Sequence, residues 1–251
     1  MSFDPRGNPQ RFNARSDDYA RYRPSYPAAA IDAILAGLGD PHGLRALDVG
    51  AGTGISTGLL AARGVSVTGI EPNAEMRASA ESAGLTVRDG HADALGEPAG
   101  SIDLVTSFQA FHWFANAESI AEFARVLRSG GRIALVWNER DDADPFTRAY
   151  GEIVEGFSDR MELAGYRNGS SVIRGLLEAA FAGVRIESFH NSQSLDYDGL
   201  LGRVRSTSYA PRDGAPYLAL VAALDAAFER FERDGRVEIV YRTDVFFGEK
   251  P

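Results

Sequence analysis

Apolar residues along this chain fall into short runs that alternate with segments of helical spacing, above all between residues 44 and 138. The runs Leu44–Val49, Val65–Ile70 and Ile102–Ser107 are mostly apolar or β-branched and too short for buried helices, so they predict strands. Strands that alternate with helices need crossover connections, which predict a mainly parallel sheet covered on both faces. The other elements predicted in this half are the helices Ala28–Leu38, Ile55–Ala62, Asn73–Ser82 and Ser119–Leu127 and the strands Leu85–Arg88 and Arg132–Trp137.

A looser pattern follows residue 141, where helical spacing becomes more frequent than strand signals. Just before it, the run Arg128–Gly131 predicts a break between a helix and a strand. The pattern divides the chain into an N-terminal segment with one helix (1–40), a core (41–140) and a helical cover with the final strands (141–251). The elements predicted in the last part are the helices Phe146–Leu163, Leu176–Phe181, Leu195–Val204 and Tyr217–Phe231 and the strands Val184–Phe189 and Val237–Phe247.

Three glycines at every second position follow the first strand of the core. Gly50, Gly52 and Gly54 stand before the start of a helix, and Asp48 precedes them. Glycine lets the backbone turn sharply and approach a ligand, and an acid at the tip of the next strand, here Glu71, can hold two ribose hydroxyls. A dinucleotide fingerprint has the different spacing G-x-G-x-x-G, and a carboxylate at position 48 suits an α-ammonium group better than a pyrophosphate. The pattern therefore favours a ligand with a ribose and an ammonium-bearing tail.

The segment from residue 46 to residue 72 resembles motifs I and II of the class I S-adenosylmethionine-dependent methyltransferases. This resemblance implies a doubly wound, Rossmann-like α/β fold with seven mainly parallel strands, the last one antiparallel, helices on both faces and a small helical cover. It also implies S-adenosyl-L-methionine as the cofactor and S-adenosyl-L-homocysteine as the product, with the loop beside the methionine part and the acid on the ribose diol. The cofactor-binding residues that it implies here are Asp48, Gly50, Ala51, Gly52, Thr53, Gly54, Glu71 and Pro72.

The segment Asp89–Leu95 resembles the part of the family that borders the adenine. Family members commonly have an acid followed by alanine here, and this chain has His91 followed by Ala92. A neutral imidazole can accept one hydrogen bond from the adenine amino group, and Asp89 or Asp93 can take over that role. The resemblance thus implies adenine contacts from His91, Ala92 and Asp93 and leaves the acceptor open, a solvated turn being the alternative for Asp93.

An aromatic segment, Gln109–Phe114, follows the fourth strand, where ligands bind in doubly wound sheets. Its run Gln-Ala-Phe-His-Trp-Phe resembles the type 11 methyltransferase domain family, in particular its trans-aconitate methyltransferase-like subgroup. An imidazole among aromatic rings makes an apolar pocket wall with one polar group, and aromatic faces suit a sulfonium cation. The resemblance implies that Gln109 contacts the cofactor and that His112 and Trp113 contact the substrate. His112 is the candidate catalytic base for a hydroxyl or amine and a hydrogen-bond donor for an acid, and a core aromatic cluster is the alternative.

Two segments outside the core are candidates for substrate recognition. Tyr22 and Arg23 lie in the N-terminal segment, and Arg205 and Tyr209 lie where the loosely matching family places a substrate cover. Arginine pairs bidentately with carboxylates, whereas a solvated surface position is the alternative for each arginine. The four histidines are scattered without ligand spacing and the run Asp141–Asp144 is more typical of a solvated loop than of a cation site, so no metal site is predicted.

Composition narrows the function classes. The 251 residues suffice for one large α/β domain, contain no cysteine and carry a net charge of -9. The acidic balance argues against a nucleic-acid partner, and the lack of a long apolar segment argues against a membrane anchor or signal segment, which predicts a cytoplasmic protein. The oligomeric state, monomer or homodimer, stays open.

These features predict a methyltransferase that transfers a methyl group by direct in-line displacement to a small molecule, with a carboxylate or hydroxyl oxygen as the favoured acceptor. One alternative is a protein of the same fold that binds the cofactor without methyl transfer. Another is a nicotinamide-dependent oxidoreductase, which the glycine spacing and Asp48 disfavour.

Overall fold

The computed structural model describes residues 22–157, 170–207, 210–211 and 213–251. Its helices are α1 (Ala28–Leu35), α2 (Ile55–Ala61), α3 (Ala74–Ser82), α4 (Ala117–Val126), α5 (Pro145–Gly156), α6 (Ser170–Glu178), α7 (Tyr197–Arg205) and α8 (Gly214–Phe231). Its strands are β1 (Arg45–Val49), β2 (Ser66–Ile70), β3 (Val87–Arg88), β4 (Ile102–Phe108), β5 (Leu127–Arg140), β6 (Ala182–Leu195) and β7 (Val237–Glu249). Single 3-10 turns lie at Pro41–Gly43 and Phe111–Trp113.

The seven strands form one sheet in the order β3-β2-β1-β4-β5-β7-β6. Neighbouring strands from β3 to β5 are parallel, and β7 is antiparallel to both β5 and β6. The direction of winding reverses between β1 and β4, which places the crevice for a ligand at the carboxyl ends of these two strands. The predicted doubly wound fold with an antiparallel last strand is confirmed.

Two hydrophobic cores cover the two faces of the sheet, because each crossover helix buries its apolar side against the strands. One core contains Ile31 and Ile34 of α1 and Leu60 of α2. The other contains Phe123 of α4 and Leu177 of α6. The sheet is therefore the middle layer of three, and its carboxyl edge is left for the loops.

A third core lies beyond the body of the sheet, where β5, β6 and β7 continue as long strands. It joins α5, α7 and α8 to the start of β7, with Tyr150, Leu200, Leu224 and Ile239 in its centre. The last residue of β5, Arg140, pairs with Tyr241, so this extension lies at the carboxyl edge of the sheet. The helical cover thus stands at the edge where the glycine loop ends β1.

Several predicted boundaries need correction. The run Arg128–Gly131 was expected to break the chain, but β5 begins at Leu127, which pairs with Ile102. Gly130 has a left-handed backbone with φ 71° within this strand. The strand continues through it because the Gly130 N–H donates to the Lys250 carbonyl at 2.8 Å. The strand predicted at Val184–Phe189 continues to residue 195, because β7 supplies a pairing partner along its whole length.

Two helix predictions also differ from the structure. The helix predicted at Leu176–Phe181 begins earlier and ends at Glu178. The helix predicted at Phe146–Leu163 ends at Gly156 in the structure, and its predicted last residues lie outside the described residues. No helix in the described ranges is long and apolar enough to cross a membrane.

Candidate active site

The glycine loop leaves β1 through three residues with left-handed backbone. Gly50, Gly52 and Gly54 have φ values of 76°, 57° and 86°. A Cβ at Gly50 would overlap the Cβ of Ala110, so the loop lies directly against the segment that follows β4. At Gly52 the only atom that a Cβ would meet within 4 Å is Met76 Sδ, at 3.6 Å. The loop is thus packed on one side and accessible near Gly52, as close approach to a ligand requires.

Asp48 is fully buried beneath this loop. Its carboxylate accepts hydrogen bonds from Ser56 Oγ at 2.6 Å, Thr57 Oγ1 at 2.7 Å and Thr106 Oγ1 at 2.9 Å. Burial raises the pKa of Asp48, and the bonds from these hydroxyls oppose that rise. Asp48 therefore ties β1 to the first turn of α2 and to β4, and its predicted contact with an ammonium group stays a prediction.

Glu71 lies at the tip of β2 and faces the glycine loop. Its Oε2 accepts from the Gly52 N–H at 2.9 Å, and its Oε1 accepts from the Asn73 N–H at 2.8 Å. Burial raises the pKa of Glu71, opposed by these two backbone donors and by Arg77. A carboxylate offers about four acceptor sites, so Glu71 keeps room for two further donors such as a ribose diol.

The segment predicted to border the adenine forms a tight turn. The Ala94 N–H donates to the His91 carbonyl at 3.2 Å, His91 and Asp93 are exposed, and Ala92 is buried. Asp89 is mostly exposed and pairs with Arg77 at 2.9 Å. Among the three polar candidates, Asp89 is therefore the one already engaged in an ion pair. Pro72 is half-buried and follows directly on Glu71.

The aromatic segment begins with a strained residue. Gln109 has φ 51°, which is uncommon for any residue other than glycine. Its N–H donates to the Val136 carbonyl at 2.8 Å and its Nε2 donates to the Asn138 carbonyl at 3.0 Å. Both bonds run to β5, so the strand next to β4 holds this turn and fixes where the following aromatic residues begin.

His112 and Trp113 lie in the short turn behind Gln109. Their ring centroids are 4.9 Å apart, and the neighbouring Phe111 is fully buried against Phe123 and Phe114. Because Ala110 touches Gly50, this turn lies beside the glycine loop at the carboxyl edge. The structure therefore brings the predicted cofactor loop and the predicted aromatic segment together.

Comparison with known proteins finds similarity to methyltransferases in both sequence and structure. Residues 47–135 match the model of the methyltransferase domain family. An uncharacterized methyltransferase of Mycobacterium tuberculosis (strain ATCC 25618 / H37Rv) is 41% identical over 147 residues, which are 57% of this chain and 58% of that protein. A protein of Anaeromyxobacter dehalogenans, proposed to be a type II methyltransferase, has a similar structure with a TM-score of 0.65 and 23% identity, covering 91% of this chain and 98% of its own.

The protein has the Rossmann-like methyltransferase fold. Phosphoethanolamine N-methyltransferase 2 of Haemonchus contortus, solved in complex with S-adenosyl-L-methionine, also has this fold, with a TM-score of 0.60 and 15% identity over 100% of this chain and 60% of that chain. The chain spans just over half the length of the first curated relatives that it matches. The comparisons therefore establish the methyltransferase fold and do not identify the methyl acceptor.

His112 is the candidate catalytic residue of this methyltransferase fold. Both of its ring nitrogens are buried, and burial lowers the pKa of His112 to about 4. The imidazole is therefore neutral at pH 7 and a weak base, since a group with so low a pKa holds an abstracted proton poorly. Hydrogen bonding to an acceptor fits this environment better than proton abstraction.

This burial has an expected effect on stability. The folded-state pKa of His112 lies below that of the unfolded chain, near 6.5. Between about pH 6.5 and pH 4 the unfolded chain therefore binds a proton that the folded protein does not. As the pH is lowered through this window, the free energy of unfolding falls by up to about 3 kcal/mol. His112→Phe is expected to remove that part of the decline.

Urea denaturation at several pH values between 4 and 7 measures this effect. The exposed His91, changed to phenylalanine, serves as the matched control and should leave the pH dependence of the wild type in place. Identical pH profiles for His112→Phe and the wild type would show that His112 is not held neutral by the fold.

The arginine candidates for substrate recognition both contact the helical cover. Arg23 is half-buried and its Nη2 donates to the Ser206 carbonyl at 3.0 Å, between the N-terminal segment and the cover. Arg205 is exposed, and its Nε and Nη2 donate to Tyr217 Oη at 3.1 and 3.0 Å. Arg205 thus joins α7 to α8 and its role at the substrate stays a prediction, whereas Tyr209 lies outside the described residues.

Sequence reasoning missed the polar residues that support the site. Ser56, Thr57 and Thr106 hold the Asp48 carboxylate, and Asn138 receives the side chain of Gln109. A pair of hydroxyl residues in the first turn of the helix that follows a glycine loop was a usable signal for Ser56 and Thr57. Within the described residues, no group of three or more acidic or histidine side chains could hold a metal ion.

Proposed function

We propose that this protein transfers a methyl group from S-adenosyl-L-methionine to a small-molecule acceptor by direct in-line displacement. The observation that carries the proposal is the Glu71 carboxylate, which is bonded to the Gly52 N–H of the glycine loop and keeps free acceptor capacity at the carboxyl edge. A buried acid in this position suits a ribose diol, and the adjoining aromatic turn suits the sulfonium.

The residues present fit this cofactor. The glycine loop is accessible near Gly52, and Thr53 Oγ1 is buried and has no hydrogen-bond partner within the described residues. A polar tail could satisfy that hydroxyl, since a buried polar atom without a partner is unfavourable. Glu71 would hold the ribose, the loop would face the methionine part, and the turn at His91 and Ala92 would border the adenine. When bound, the cofactor supplies an electrophilic methyl group.

The chain itself has to orient the acceptor and exclude water. His112, Trp113 and Phe114 supply a mostly apolar wall, and the helical cover stands at the same edge. Positioning and exclusion of water can supply most of the rate of such a displacement. His112, neutral at pH 7, would donate a hydrogen bond or accept one, which suits an acceptor that is already ionised.

We therefore favour O-methylation of a carboxylate over that of a hydroxyl, which would need a stronger base. The Gln109–Phe114 run supports placing the chain in the trans-aconitate methyltransferase-like subgroup, and Arg23 supports an anionic acceptor. The acidic composition supports a small-molecule acceptor rather than a nucleic acid, and the lack of a long apolar segment in the sequence supports a cytoplasmic protein. The alternative is a protein that binds the cofactor without methyl transfer.

Titration calorimetry tests the cofactor directly. We expect S-adenosyl-L-methionine and S-adenosyl-L-homocysteine to bind with dissociation constants below about 1 mM, and NADH not to bind in this range. No heat from either sulfur ligand at millimolar concentration would refute the proposal. Labelled methyl transfer to metabolites of a cell extract then separates the enzyme from a protein that only binds the cofactor.

A further inference from the structure

The N-terminal residues 22–26, here called the strap, connect the helical cover to the body of the sheet. At one end, the Tyr22 ring packs so closely on α7 that a Cβ at Gly202 would overlap it. At the other end, the Tyr26 ring meets the Phe108 ring edge-on, with centroids 4.7 Å apart. Phe108 is the last residue of β4 and precedes the aromatic turn. The strap thus runs from the cover to the loop that borders the proposed cofactor site.

Two asparagine side chains hold the middle of the strap. Asn138 Nδ2 donates to the Ser25 carbonyl at 3.2 Å, and Asn191 Nδ2 donates to the same carbonyl at 2.8 Å. The Asn138 Oδ1 in turn accepts from Thr243 Oγ1 at 2.5 Å and from Asn191 Nδ2 at 3.2 Å. One backbone oxygen of the strap is therefore clamped by amides from β5 and β6, and β7 orients the first of them.

Asn138 also touches the entrance of the aromatic turn. Its backbone carbonyl accepts from Gln109 Nε2 at 3.0 Å. Gln109 is the residue whose φ of 51° redirects the chain after β4. A strained backbone persists only where its surroundings hold it, so this bond helps to keep the turn in place. Asn138 is buried and contacts the strap with its side chain and the turn with its backbone.

The chemistry of this position calls for an amide. The Asn138 side chain needs a donor toward Ser25 and an acceptor toward Thr243, and only an amide offers both in fixed directions among side chains of this size. A carboxylate there would set an acceptor against the Ser25 carbonyl, and an alanine would leave buried partners unsatisfied.

We propose that Asn138 and Asn191 are positioning residues that clamp the Ser25 carbonyl and thereby hold the strap against the carboxyl edge, where it retains the bound cofactor. This inference rests on the proposed function for its catalytic meaning, but the clamp itself is a property of the protein without ligand. The strap would thus retain the cofactor, and residues of β5, β6 and β7 would hold the strap in place.

The test uses variants of Asn191, which lies on the edge strand and tolerates change better than the buried Asn138. Asn191→Leu keeps the size of the side chain and removes the donor, whereas Asn191→Gln retains an amide donor. Ser192→Ala, an exposed change on the opposite face of β6, is the matched control. Asn138→Ala and the double variant with Asn191→Leu complete a double-mutant cycle.

Two readouts are measured on the full chain. Hydrogen exchange followed by mass spectrometry reports on the peptide that covers the strap, without any ligand. Stopped-flow dilution reports the dissociation rate of S-adenosyl-L-homocysteine. For Asn191→Leu we expect exchange in the strap and the dissociation rate each to rise about fivefold, the effect of one lost hydrogen bond. Exchange in the buried part of β5 should stay unchanged, and Asn191→Gln should recover most of the wild-type behaviour.

The outcomes separate the inference from the proposed function. If the wild type does not bind S-adenosyl-L-homocysteine, the proposed function fails, and strap exchange alone then decides whether the clamp exists. If the ligand binds and Asn191→Leu changes neither readout, the inference is overturned. Effects that add in the cycle would also overturn it, because two donors to one carbonyl must act together.

Discussion

Replacing Gly50 with alanine is expected to weaken binding of S-adenosyl-L-homocysteine by at least about 100-fold. Two physical terms act together at this position. The left-handed backbone, with φ 76°, costs about 1 to 2 kcal/mol for any residue with a Cβ. The added Cβ would also overlap the Cβ of Ala110, so either the glycine loop or the aromatic turn has to move. Both segments border the proposed site, and a shift of either one displaces ligand contacts.

Gly37 offers a matched control for this change. Its φ of 79° is close to that of Gly50, but a Cβ there would meet no atom within 4 Å. Gly37→Ala should therefore cost stability through the backbone alone and leave ligand affinity unchanged. Titration calorimetry and thermal unfolding of the two variants separate strain from displacement. Equal affinities of Gly50→Ala and Gly37→Ala would show that the contact with Ala110 does not shape the site.

The second large effect is expected at Glu71. Glu71→Gln keeps the shape of the side chain but can accept only one of the two N–H groups, from Gly52 and from Asn73, that the carboxylate now receives. The amide would also lose the charge that strengthens bonds from ribose hydroxyls. We expect affinity for S-adenosyl-L-homocysteine to fall by about 30-fold or more, since bonds to charged groups contribute about 1.5 to 3 kcal/mol.

A ligand that lacks one hydroxyl isolates the ribose contact. The 2′-deoxy analogue of S-adenosyl-L-homocysteine should bind the wild type more weakly, and Glu71→Gln should weaken it less than it weakens the parent ligand. Glu81→Gln, an exposed change on α3, is the control and should affect neither. If Glu71→Gln weakens both ligands equally, Glu71 shapes the glycine loop without touching the ribose.

The predictable parts of the site depend on neighbouring residues in the chain. The turn at Gly50, Gly52 and Gly54 was predicted because positive φ is a local requirement that glycine meets. Glu71 was predicted because an acid directly after the second strand falls at the carboxyl edge in any parallel sheet. The positions of the core strands were also predictable from neighbouring residues, since each strand is a short, mostly apolar run.

The less predictable parts depend on pairings between distant residues. The break expected at Arg128–Gly131 became part of β5 because Leu127 found a partner in Ile102 of a neighbouring strand. Arg205 of α7 donates to Tyr217 Oη of α8, a contact that joins two helices. Neither outcome has a signal in the local pattern.

The sequence by itself determined the doubly wound sheet, the glycine loop with Glu71, and the aromatic segment after β4, because each follows from local backbone preference or hydrophobic period. Only the tertiary structure decided that Asp48 supports the loop from below, that His112 is held neutral, and that Ser25 is clamped by Asn138 and Asn191. Asp48 and Thr106 are 58 positions apart, and Ser25 lies 113 and 166 positions from the two asparagines; burial and hydrogen bonding at such separations exist only after the strands pair.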